Sequence, residues 1–325
     1  MMKAEVTKEA VNQSEITVRP LAEDDLARAD RVMRLAFGTF IGLPDPLAFM
    51  GDADYVRTRW RANPLAAFAA ESASELVGSN FATNWGSVGF FGPLTIHPDF
   101  WDRGVGQRLM APVMECFRTW QTRHAGLFTF SHSVKHVSLY QKFGFWPRFL
   151  TAIMSKGVER TGRSHWTTFN EAAGPERETL LVASRALTNS IYDGLDVARE
   201  IGAVQEQQLG DTILLWKDGK LRGLAICHAG PGTEAGSGTC YVKFGAALPG
   251  TAAEQTFGQL LDACEEFAAE RQTTRLVAGV STARHEAYRQ MLERGFRTSM
   301  QGIVMGRPNE DGYNRAGVYL LDDWR

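Results

Sequence analysis

The sequence predicts an α/β protein of the α+β kind, built as two related domains, and three observations support this prediction. At 325 residues the chain has the length of about two domains. Strand-like and helix-like segments alternate along both halves. The tag Lys142-Phe143-Gly144-Phe145 recurs as Glu293-Arg294-Gly295-Phe296, a spacing of 151 residues (295 − 144). A repeat of that size indicates a duplicated domain rather than a solenoid.

Composition restricts the class of protein further. Hydrophobic residues make up 44% of the chain and charged residues 22%, and the formal net charge is −2. The chain therefore has enough apolar material for packed cores, and its composition argues against long disorder, which needs low hydrophobicity and high net charge. A near-neutral chain also lacks the basic surplus of proteins that bind nucleic acids through phosphate groups.

No segment of the sequence has the pattern of a targeting or membrane-spanning element. Residues 1–14 are polar and of mixed charge, and they are expected to form a flexible N-terminus. The four cysteines show no CxxC pairing, which predicts free thiols and argues against a disulfide framework or a zinc site. We therefore expect a cytoplasmic protein with no metal and no membrane contact. Association with further copies of the chain is left open.

Residues 15–155 are expected to form the first domain. Its predicted strands are 16–20, 66–71, 76–85, 88–96, 127–130 and 149–154, and its predicted helices are 24–37, 52–61, 104–123 and 135–143, with a loop over 38–51. Pro112 stands inside the third helix and is expected to kink it. The polar, glycine-containing residues 156–176 follow, and they predict a linker.

Residues 177–325 are expected to form the second domain. Its predicted strands are 212–216, 224–228, 241–247 and 275–280, and its predicted helices are 200–208, 251–271 and 283–294. Lys217-Asp218-Gly219-Lys220 predicts a hairpin turn between the first two strands. Residues 230–238 predict a glycine-rich loop. The final residues 322–325 are expected to pair with the sheet or to cap a groove.

The clearest functional signal lies where the fourth strand runs into the third helix. Arg103-Gly104-Val105-Gly106 places two glycines at this turn, so the first N–H groups of the helix converge on one point with no Cβ in the way. Such a point suits an anion, above all a phosphate group, and Arg103 and Arg108 would add positive charge. Leu109 stands where a dinucleotide fingerprint has its third glycine, and no Gly-Lys-Ser/Thr follows, so neither that fingerprint nor the ATP-binding P-loop is present.

Two motifs in register give the chain a resemblance to a known family. The segment Leu94-Thr95-Ile96-His97-Pro98 and the glycine turn, followed about 30 residues later by Leu139-Tyr140-Gln141-Lys142-Phe143-Gly144-Phe145, resemble the GNAT superfamily of acyl-CoA-dependent N-acyltransferases over roughly residues 16–155. The resemblance implies two tandem GNAT-like domains, each a splayed mixed, mostly antiparallel sheet flanked by helices. It also implies acetyl-CoA as co-substrate and a primary amine of a small molecule or peptide as acceptor.

The resemblance assigns roles to individual positions. It implies that the backbone of Leu94, Thr95 and Ile96 pairs with the pantetheine arm. It implies that the pyrophosphate is held by the N–H groups of Arg103, Gly104, Val105, Gly106 and Gln107. Tyr140 would protonate the departing thiolate, because sulfur leaves more easily with a proton donor close by. The other reading of Tyr140 is an aromatic ring packed on the helix, with its hydroxyl satisfied by backbone.

Several positions depart from the family pattern. Trp101 replaces a usual Gln or Arg, and Ser133 replaces a common Asn. Acyl-CoA binding is still expected, because backbone N–H donors do not depend on these side chains. Residues 88–96 contain no acidic side chain to act as general base. His132 is one candidate for that role, His97 is expected to be structural, and our preferred hypothesis is a bound water that deprotonates the ammonium.

Residues 37–54 are expected to wall the acceptor side, as they do in the family. Apolar surface would come from Phe37, Phe40, Phe49 and Tyr55, and a cationic amine could be held by Asp45, Asp52 or Asp54. The alternative is a solvated loop whose aspartates cap turns and helices.

The second copy lacks the residues that would carry the chemistry. No Arg-Gly-x-Gly loop follows its fourth strand, and Met291 stands where Tyr140 would recur. We therefore expect a degenerate GNAT-like domain, retained for packing, for shaping the substrate site or for another ligand. The predicted function is N-acetyltransfer by direct attack of the amine in a ternary complex. The alternative is a non-catalytic acyl-CoA-binding or sensor module, and the intact glycine turn disfavours a purely structural protein.

Overall fold

One sheet runs through both halves of the chain. The computed structural model describes residues 16–159 and 166–325, so the expected flexible segment 1–14 and residues 160–165 of the expected linker lie outside the described residues. The strands are β1 Ile16–Pro20, β2 Ala67–Ser72, β3 Glu75–Trp85, β4 Val88–Phe91, β5 Thr95–Ile96, β6 His124–Thr129, β7 Trp146–Gly157, β8 Thr167–Thr168, β9 Gly210–Lys217, β10 Lys220–Gly230, β11 Gly236–Ala247, β12 Arg275–Ser281, β13 Arg297–Arg307 and β14 Leu320–Leu321.

Eight α-helices flank this sheet in the described ranges. They are α1 Leu26–Phe40, α2 Tyr55–Ala62, α3 Val105–Thr119, α4 Val134–Gln141, α5 Gly174–Ile191, α6 Ala198–Glu206, α7 Ala253–Glu270 and α8 His285–Glu293. Ala69 on β2 packs in the cluster around α1, whereas its neighbour Ala70 packs in the cluster around α3. Successive strand residues point to opposite faces, so the two helices cover opposite sides of the first copy. Among the residues described, no helix is long and apolar enough to cross a bilayer.

The two copies exchange their last strands at the centre of the sheet. The strand order is β1-β2-β3-β4-β6-β13-β7-β12-β11-β10-β9-β8, with β5 beside β3 and β14 beside β11. The last strand of the second copy, β13, is therefore inserted between β6 and β7 of the first copy, and β7 in turn pairs with β12 of the second. The predicted domain boundaries at residues 155 and 177 stay predictions. Strand β7 of the first copy extends beyond residue 155 and pairs with β12 and β13 of the second copy, so no clean boundary separates the two copies there.

The duplication predicted from the sequence is confirmed by the strand register. Val88 pairs with His124 in the parallel β4–β6 ladder, and Thr239 pairs with Arg275 in the parallel β11–β12 ladder, each partner 151 residues after its counterpart. The repeated tag also has the same geometry in both copies, since Gly144 and Gly295 have φ values of +80° and +88° just after α4 and α8. These left-handed residues end both helices, a conformation that glycine adopts without a Cβ penalty.

Three predicted segments differ from the structure. Helix α1 continues through Gly38 to Phe40, although residues 38–51 were expected to be loop; a Cβ at Gly38 would lie 2.2 Å from the Pro46 carbonyl oxygen, so glycine allows this close approach. The expected linker includes the end of β7, the short strand β8 and the start of α5. Helix α5 itself was missed, because its apolar residues are spaced too irregularly for a clear stripe. The hairpin between β9 and β10 is confirmed, with Asp218 and Gly219 both at positive φ.

Candidate functional site

The strand predicted over residues 88–96 is interrupted, and the interruption opens a cleft. Gly92 has φ +142°, and Pro93 has no N–H to donate, so β4 ends at Phe91 and β5 begins at Thr95. Strand β4 pairs with β6 from Val88 to Phe90, whereas β5 turns to pair with β3. Strands β5 and β6 therefore diverge, which is the splayed geometry expected for the first copy.

The backbone N–H and carbonyl groups of Leu94 and Ile96 point into this cleft, whereas those of Thr95 point away from it. The His97 N–H donates to the Val77 carbonyl at 2.8 Å, and Thr95 lies opposite Ser79 in the same ladder. Hydrogen-bonded and non-hydrogen-bonded pairs alternate along an antiparallel ladder. The N–H and carbonyl of Thr95 therefore point toward β3, whereas those of Leu94 and Ile96 point away from β3. The expected backbone contact with pantetheine is therefore geometrically available at Leu94 and Ile96. It is not available at Thr95, because β3 takes its backbone groups.

In the second copy the equivalent edge is occupied by the chain itself. Gly245 and Ala246, which correspond to Leu94 and Thr95, pair with Leu321 and Leu320 of β14. Strand β14 thus lies where β11 and β12 diverge, and it closes the second cleft. The sequence did not predict this closure. Residues 322–325 were expected to pair with the sheet or to cap a groove, and the residues that pair with it are the adjacent Leu320 and Leu321. An edge of this kind evidently accepts an extended chain that carries amide donors and acceptors.

The glycine turn forms the N-terminus of α3, as the motif predicts. Gly104 is the N-cap residue with φ +76°, and the Arg108 N–H is bonded to the Gly104 carbonyl at 3.3 Å. The N–H groups of Val105, Gly106 and Gln107 therefore precede the first helical bond and have no acceptor within the helix, an arrangement that suits an anion. A Cβ on Gly106 would lie 3.1 Å from Leu139 Cδ2, so glycine keeps α3 and α4 close together here.

The two arginines expected to add positive charge at the turn both have other contacts. Arg108 donates from Nη1 to the Ile16 carbonyl on β1, and its charge is therefore directed away from the turn. The Arg103 guanidinium lies 5.0 Å from the centre of the Phe100 ring and remains exposed. An anion at this turn would therefore meet mainly backbone donors.

Trp101, which departs from the family pattern, has a defined role in the cleft. Its indole Nε1–H donates to the Ile96 carbonyl at 2.8 Å, so one acceptor on the exposed edge of β5 is already satisfied. Lys135 on α4 lies 5.7 Å from the Trp101 ring and forms an ion pair with Asp102 at 2.6 Å. These contacts attach the start of α4 to the glycine turn. Ser133, the second departure, is the N-cap of α4 and accepts the His136 N–H at 3.4 Å.

The cleft opens into a cavity of about 620 Å³ between the two copies. Leu94, Ile96, Leu139 and Tyr140 line its first-copy end, and Ser237, Tyr241, Val277 and Met300 line it from the second copy. The volume is within the range of sites that hold a drug-sized ligand. Both copies therefore contribute to one chamber next to the cleft.

Tyr140 lies at the cavity with its ring packed in the core. The residue is 7% exposed, and its ring contacts that of Phe91 at 5.6 Å between centres. Burial raises the pKa of its hydroxyl above the ordinary value. The phenol is protonated at neutral pH, as a tyrosine ordinarily is, and the raised pKa means that it holds this proton more tightly. Both readings of Tyr140 thus fit part of the geometry, since the ring packs and the side chain also lines the cavity.

His136 reaches the cavity lining, whereas His132 is absent from the residues found there. His136 lies one helical turn before Tyr140 on α4. Burial, followed by the charges of Lys135 and His132, lowers its pKa. Sequence reasoning missed His136, and its spacing of four residues from Tyr140 was the signal that could have identified it. His97 accepts the Asp99 N–H at 3.3 Å, which is the structural role expected for it.

The three aspartates considered for amine binding have other partners. Asp45 accepts the Leu47 N–H and Asp54 accepts the Arg57 N–H, so both are caps, as the alternative reading predicted. Asp52 accepts the N–H and the hydroxyl of Ser237, and its pKa is lowered by these bonds. The glycine-rich loop of the second copy is also attached to this region, because Thr233 accepts the Asp54 N–H at 2.9 Å.

A buried ion network supports the point where β4 and β5 separate. Arg59 donates to the Gly92 carbonyl at 2.6 Å and pairs with Glu234 of the second copy, at 3.0 Å and 3.2 Å. Lys243 bridges Glu234 at 2.8 Å and Glu200 at 3.0 Å. Burial alone would raise the pKa of Glu234, but Arg59 and Lys243 outweigh it and hold that pKa well below the usual range. Sequence reasoning did not find this network, since its members are far apart along the chain.

The chain is similar to known acetyltransferases in sequence and in fold. Residues 35–145, which span the cleft, the glycine turn and α4, match the acetyltransferase (GNAT) family. A search of curated proteins finds no match to the chain.

Several solved structures share the fold over most of the chain. A protein from Pyrococcus horikoshii described as an acetyltransferase has a TM-score of 0.67 at 13% identity, with 98% of this chain and 97% of that chain covered. A GCN5-related N-acetyltransferase from Sphaerobacter thermophilus has a TM-score of 0.55 at 12% identity, with 90% and 95% covered. A glucosamine N-acetyltransferase region of a fungal β-N-acetylglucosaminidase has a TM-score of 0.62 at 12% identity, with 92% and 39% covered. At these identities the likeness establishes the fold, including its two-copy form.

Proposed function

We propose that the protein is an N-acetyltransferase that moves an acetyl group from acetyl-CoA to a primary amine of a small molecule or peptide, because residues 35–145 match the acetyltransferase (GNAT) family. The first copy is the catalytic one. The observation that carries the proposal is the exposed edge of β5 beside the N-terminus of α3. The same edge in the second copy binds a strand, so an amide-bearing pantetheine arm suits the free edge of the first.

The cleft offers partners for the pyrophosphate and the pantetheine arm of acetyl-CoA. The N–H groups of Val105, Gly106 and Gln107 would hold the pyrophosphate, with Arg103 and Gly104 completing the turn. The backbone of Leu94 and the N–H of Ile96 would pair with the pantetheine amides.

Proton transfer then involves the chain's own side chains. The neutral amine attacks the carbonyl carbon, a C–N bond forms, the C–S bond breaks, and the departing thiolate takes a proton from Tyr140. The proton lost by the amine passes to water in the cavity, and His136, which lines the cavity, is the side chain best placed to accept it. A pH–rate profile of His136→Ala tests this role, because a general base must be unprotonated and its titration sets the acidic limb of the profile. An unchanged acidic limb would leave water as the sole acceptor.

A non-catalytic acyl-CoA-binding or sensor module is the second candidate. The observation that favours it is the bond from Trp101 to the Ile96 carbonyl, because it removes one acceptor from the edge that pantetheine would use. Tight acetyl-CoA binding without thiol release from any amine would support this candidate over the enzyme.

Calorimetry with acetyl-CoA, combined with thiol release against a panel of amines, tests the proposal. We expect binding below millimolar concentration and release of one thiol per amide formed. Gly106→Val should abolish binding, because its side chain would collide with Leu139. The matched control is Gly202→Val on α6, where a Cβ meets nothing within 4 Å. An absence of binding at millimolar acetyl-CoA would refute the proposed function.

A further inference from the structure

The charged side chains that line the cavity differ in whether they have a partner of opposite charge. Glu234 and Arg325 are held in ion pairs. Within the described residues, the other two charged side chains of the lining form no ion pair, and they are Asp52 of the first copy and Arg275 of the second. The cavity therefore offers one free negative charge and one free positive charge.

The carboxylate of Asp52 is exposed, oriented and ionised. It accepts the N–H and the hydroxyl of Ser237, and these bonds lower its pKa. A carboxylate can accept more than two hydrogen bonds, and Ser237 brings no charge, so the negative charge of Asp52 stays available to a ligand. Arg34, whose charge also lowers this pKa, is itself paired with Asp30 at 2.7 Å.

The guanidinium of Arg275 is available in the same way. It is exposed at the start of β12 and donates to the Thr239 hydroxyl at 3.1 Å. Its further N–H groups can bind a carboxylate with two parallel bonds. Ser237 and Thr239 are two positions apart on β11, so their Cα atoms are at most about 7 Å apart. Asp52 and Arg275 are therefore attached to neighbouring positions of one strand.

An apolar wall continues from these two charges along the cavity. Val277 is two residues after Arg275 on β12, so the two side chains point to the same face of the sheet. Val277 packs with Ile153, Phe128 and Met300, and all four residues line the cavity. An aliphatic chain gains free energy by burial on this wall, whereas an unpaired charge would be costly there. The lining thus suits a ligand with charges of both signs at one end and an aliphatic stem.

We propose that the acceptor is a diamino acid, whose head group carries an ammonium bound by Asp52 and a carboxylate bound by Arg275, and whose second amine, at the far end of an aliphatic chain, is acetylated. This inference rests on the proposed function and specifies its substrate class. The C–N bond forms at that second nitrogen and the C–S bond of acetyl-CoA breaks, with the protons transferred as in the proposed reaction. The second copy contributes to selection, because it supplies Arg275 and the Ser237 that orients Asp52.

The test compares lysine with three analogues that lack one or both charges of its head group. They are 1,5-diaminopentane without the carboxylate, 6-aminohexanoate without the α-ammonium, and pentylamine without either. The wild-type protein is expected to use lysine with a kcat/KM at least about fivefold higher than that for any analogue, the scale of one exposed ion pair. Mass spectrometry of the product should place the acetyl group on the side-chain nitrogen.

Two variants assign the two charges to the two halves of the head group. Asp52→Asn keeps an acceptor for the Ser237 N–H and should lower kcat/KM about fivefold for lysine and 1,5-diaminopentane only. Arg275→Gln should lower it about fivefold for lysine and 6-aminohexanoate only. Glu115→Gln and Arg118→Gln make the same chemical changes at an exposed ion pair on α3 outside the lining, and they should leave all four values unchanged.

Binding of each amine to the CoA-saturated protein is measured in parallel by calorimetry, so the order of affinities is known even where no thiol is released. Equal or better use or binding of an analogue, binding of none of the four amines, acetylation of the α-nitrogen, or a loss in either variant that does not depend on the matching head group would overturn the inference. Each of these results can occur while acetyl-CoA still binds, whereas loss of acetyl-CoA binding itself refutes the proposed function.

Discussion

The Ala247 N–H donates to the carbonyl of Tyr319 at 3.0 Å, and this bond continues the pairing of β14 with β11. Ala247 corresponds to Ile96 in the first copy, where the same edge faces the cavity. The two copies thus differ in what covers one strand edge: the chain's own backbone in the second, and open space in the first.

One acyl-CoA site per chain is therefore predicted. Calorimetric titration of the full chain with acetyl-CoA should give a stoichiometry near one, because β14 fills the second cleft with Leu320 and Leu321. Gly106→Val should abolish all of the heat rather than half of it. A stoichiometry of two, or residual binding in that variant, would show that the second cleft opens.

Tyr140→Phe is predicted to impair chemistry and leave binding intact. Removing the phenolic proton should lower kcat by roughly 100-fold, at the lower end of general acid effects, and acetyl-CoA affinity should stay within about twofold. Tyr288→Phe, on the second-copy helix α8 that corresponds to α4, is the control for a general effect of a Tyr→Phe change on stability. If both variants retain full kcat, Tyr140 is a packing residue and another group protonates the thiolate.

Glu234→Gln is predicted to destabilise the fold. The change leaves Arg59 buried without a charged partner and weakens the support of Gly92, so the free energy of unfolding should fall by about 3–5 kcal/mol. Denaturant unfolding measures the loss. Glu115→Gln, at an exposed ion pair with Arg118, should leave the free energy of unfolding nearly unchanged. Equal effects of the two variants would contradict the importance of burial.

Stability is predicted to decrease with acid between pH 6.5 and 4. Burial, followed by the charge of Lys243, lowers the pKa of His228 from 6.5 to about 4, so in this range the unfolded chain binds a proton that the folded chain does not. The stability contribution is therefore present above pH 6.5 and is lost as the pH falls, by up to roughly 3 kcal/mol. His228→Asn keeps an acceptor for the Glu234 N–H and should show a shallower pH slope in thermal unfolding. An identical slope would exclude His228 as a cause.

Local patterns in the sequence sufficed for most elements of the first copy and for the glycine turn, but not for the break in the strand predicted over residues 88–96. The αL positions at Gly104 and Gly144 follow from neighbouring residues alone, and so does the end of α4, where the Phe145 N–H bonds to the Tyr140 carbonyl at 3.2 Å. The same bond from Phe296 to Met291, at 3.1 Å, explains why the repeat could be detected from one short tag.

The sequence by itself determined the alternation of strands and helices, the duplication, and the position of the glycine turn before α3, because each depends on residues close together along the chain. The exchange of β7 and β13, the closure of the second cleft by β14, and the pairing of Arg59 with Glu234 were decided only in the tertiary structure. These features join residues from opposite halves of the chain, and side-chain spacing carries no information about such partners. The cavity belongs to this second group, since residues of both copies line it.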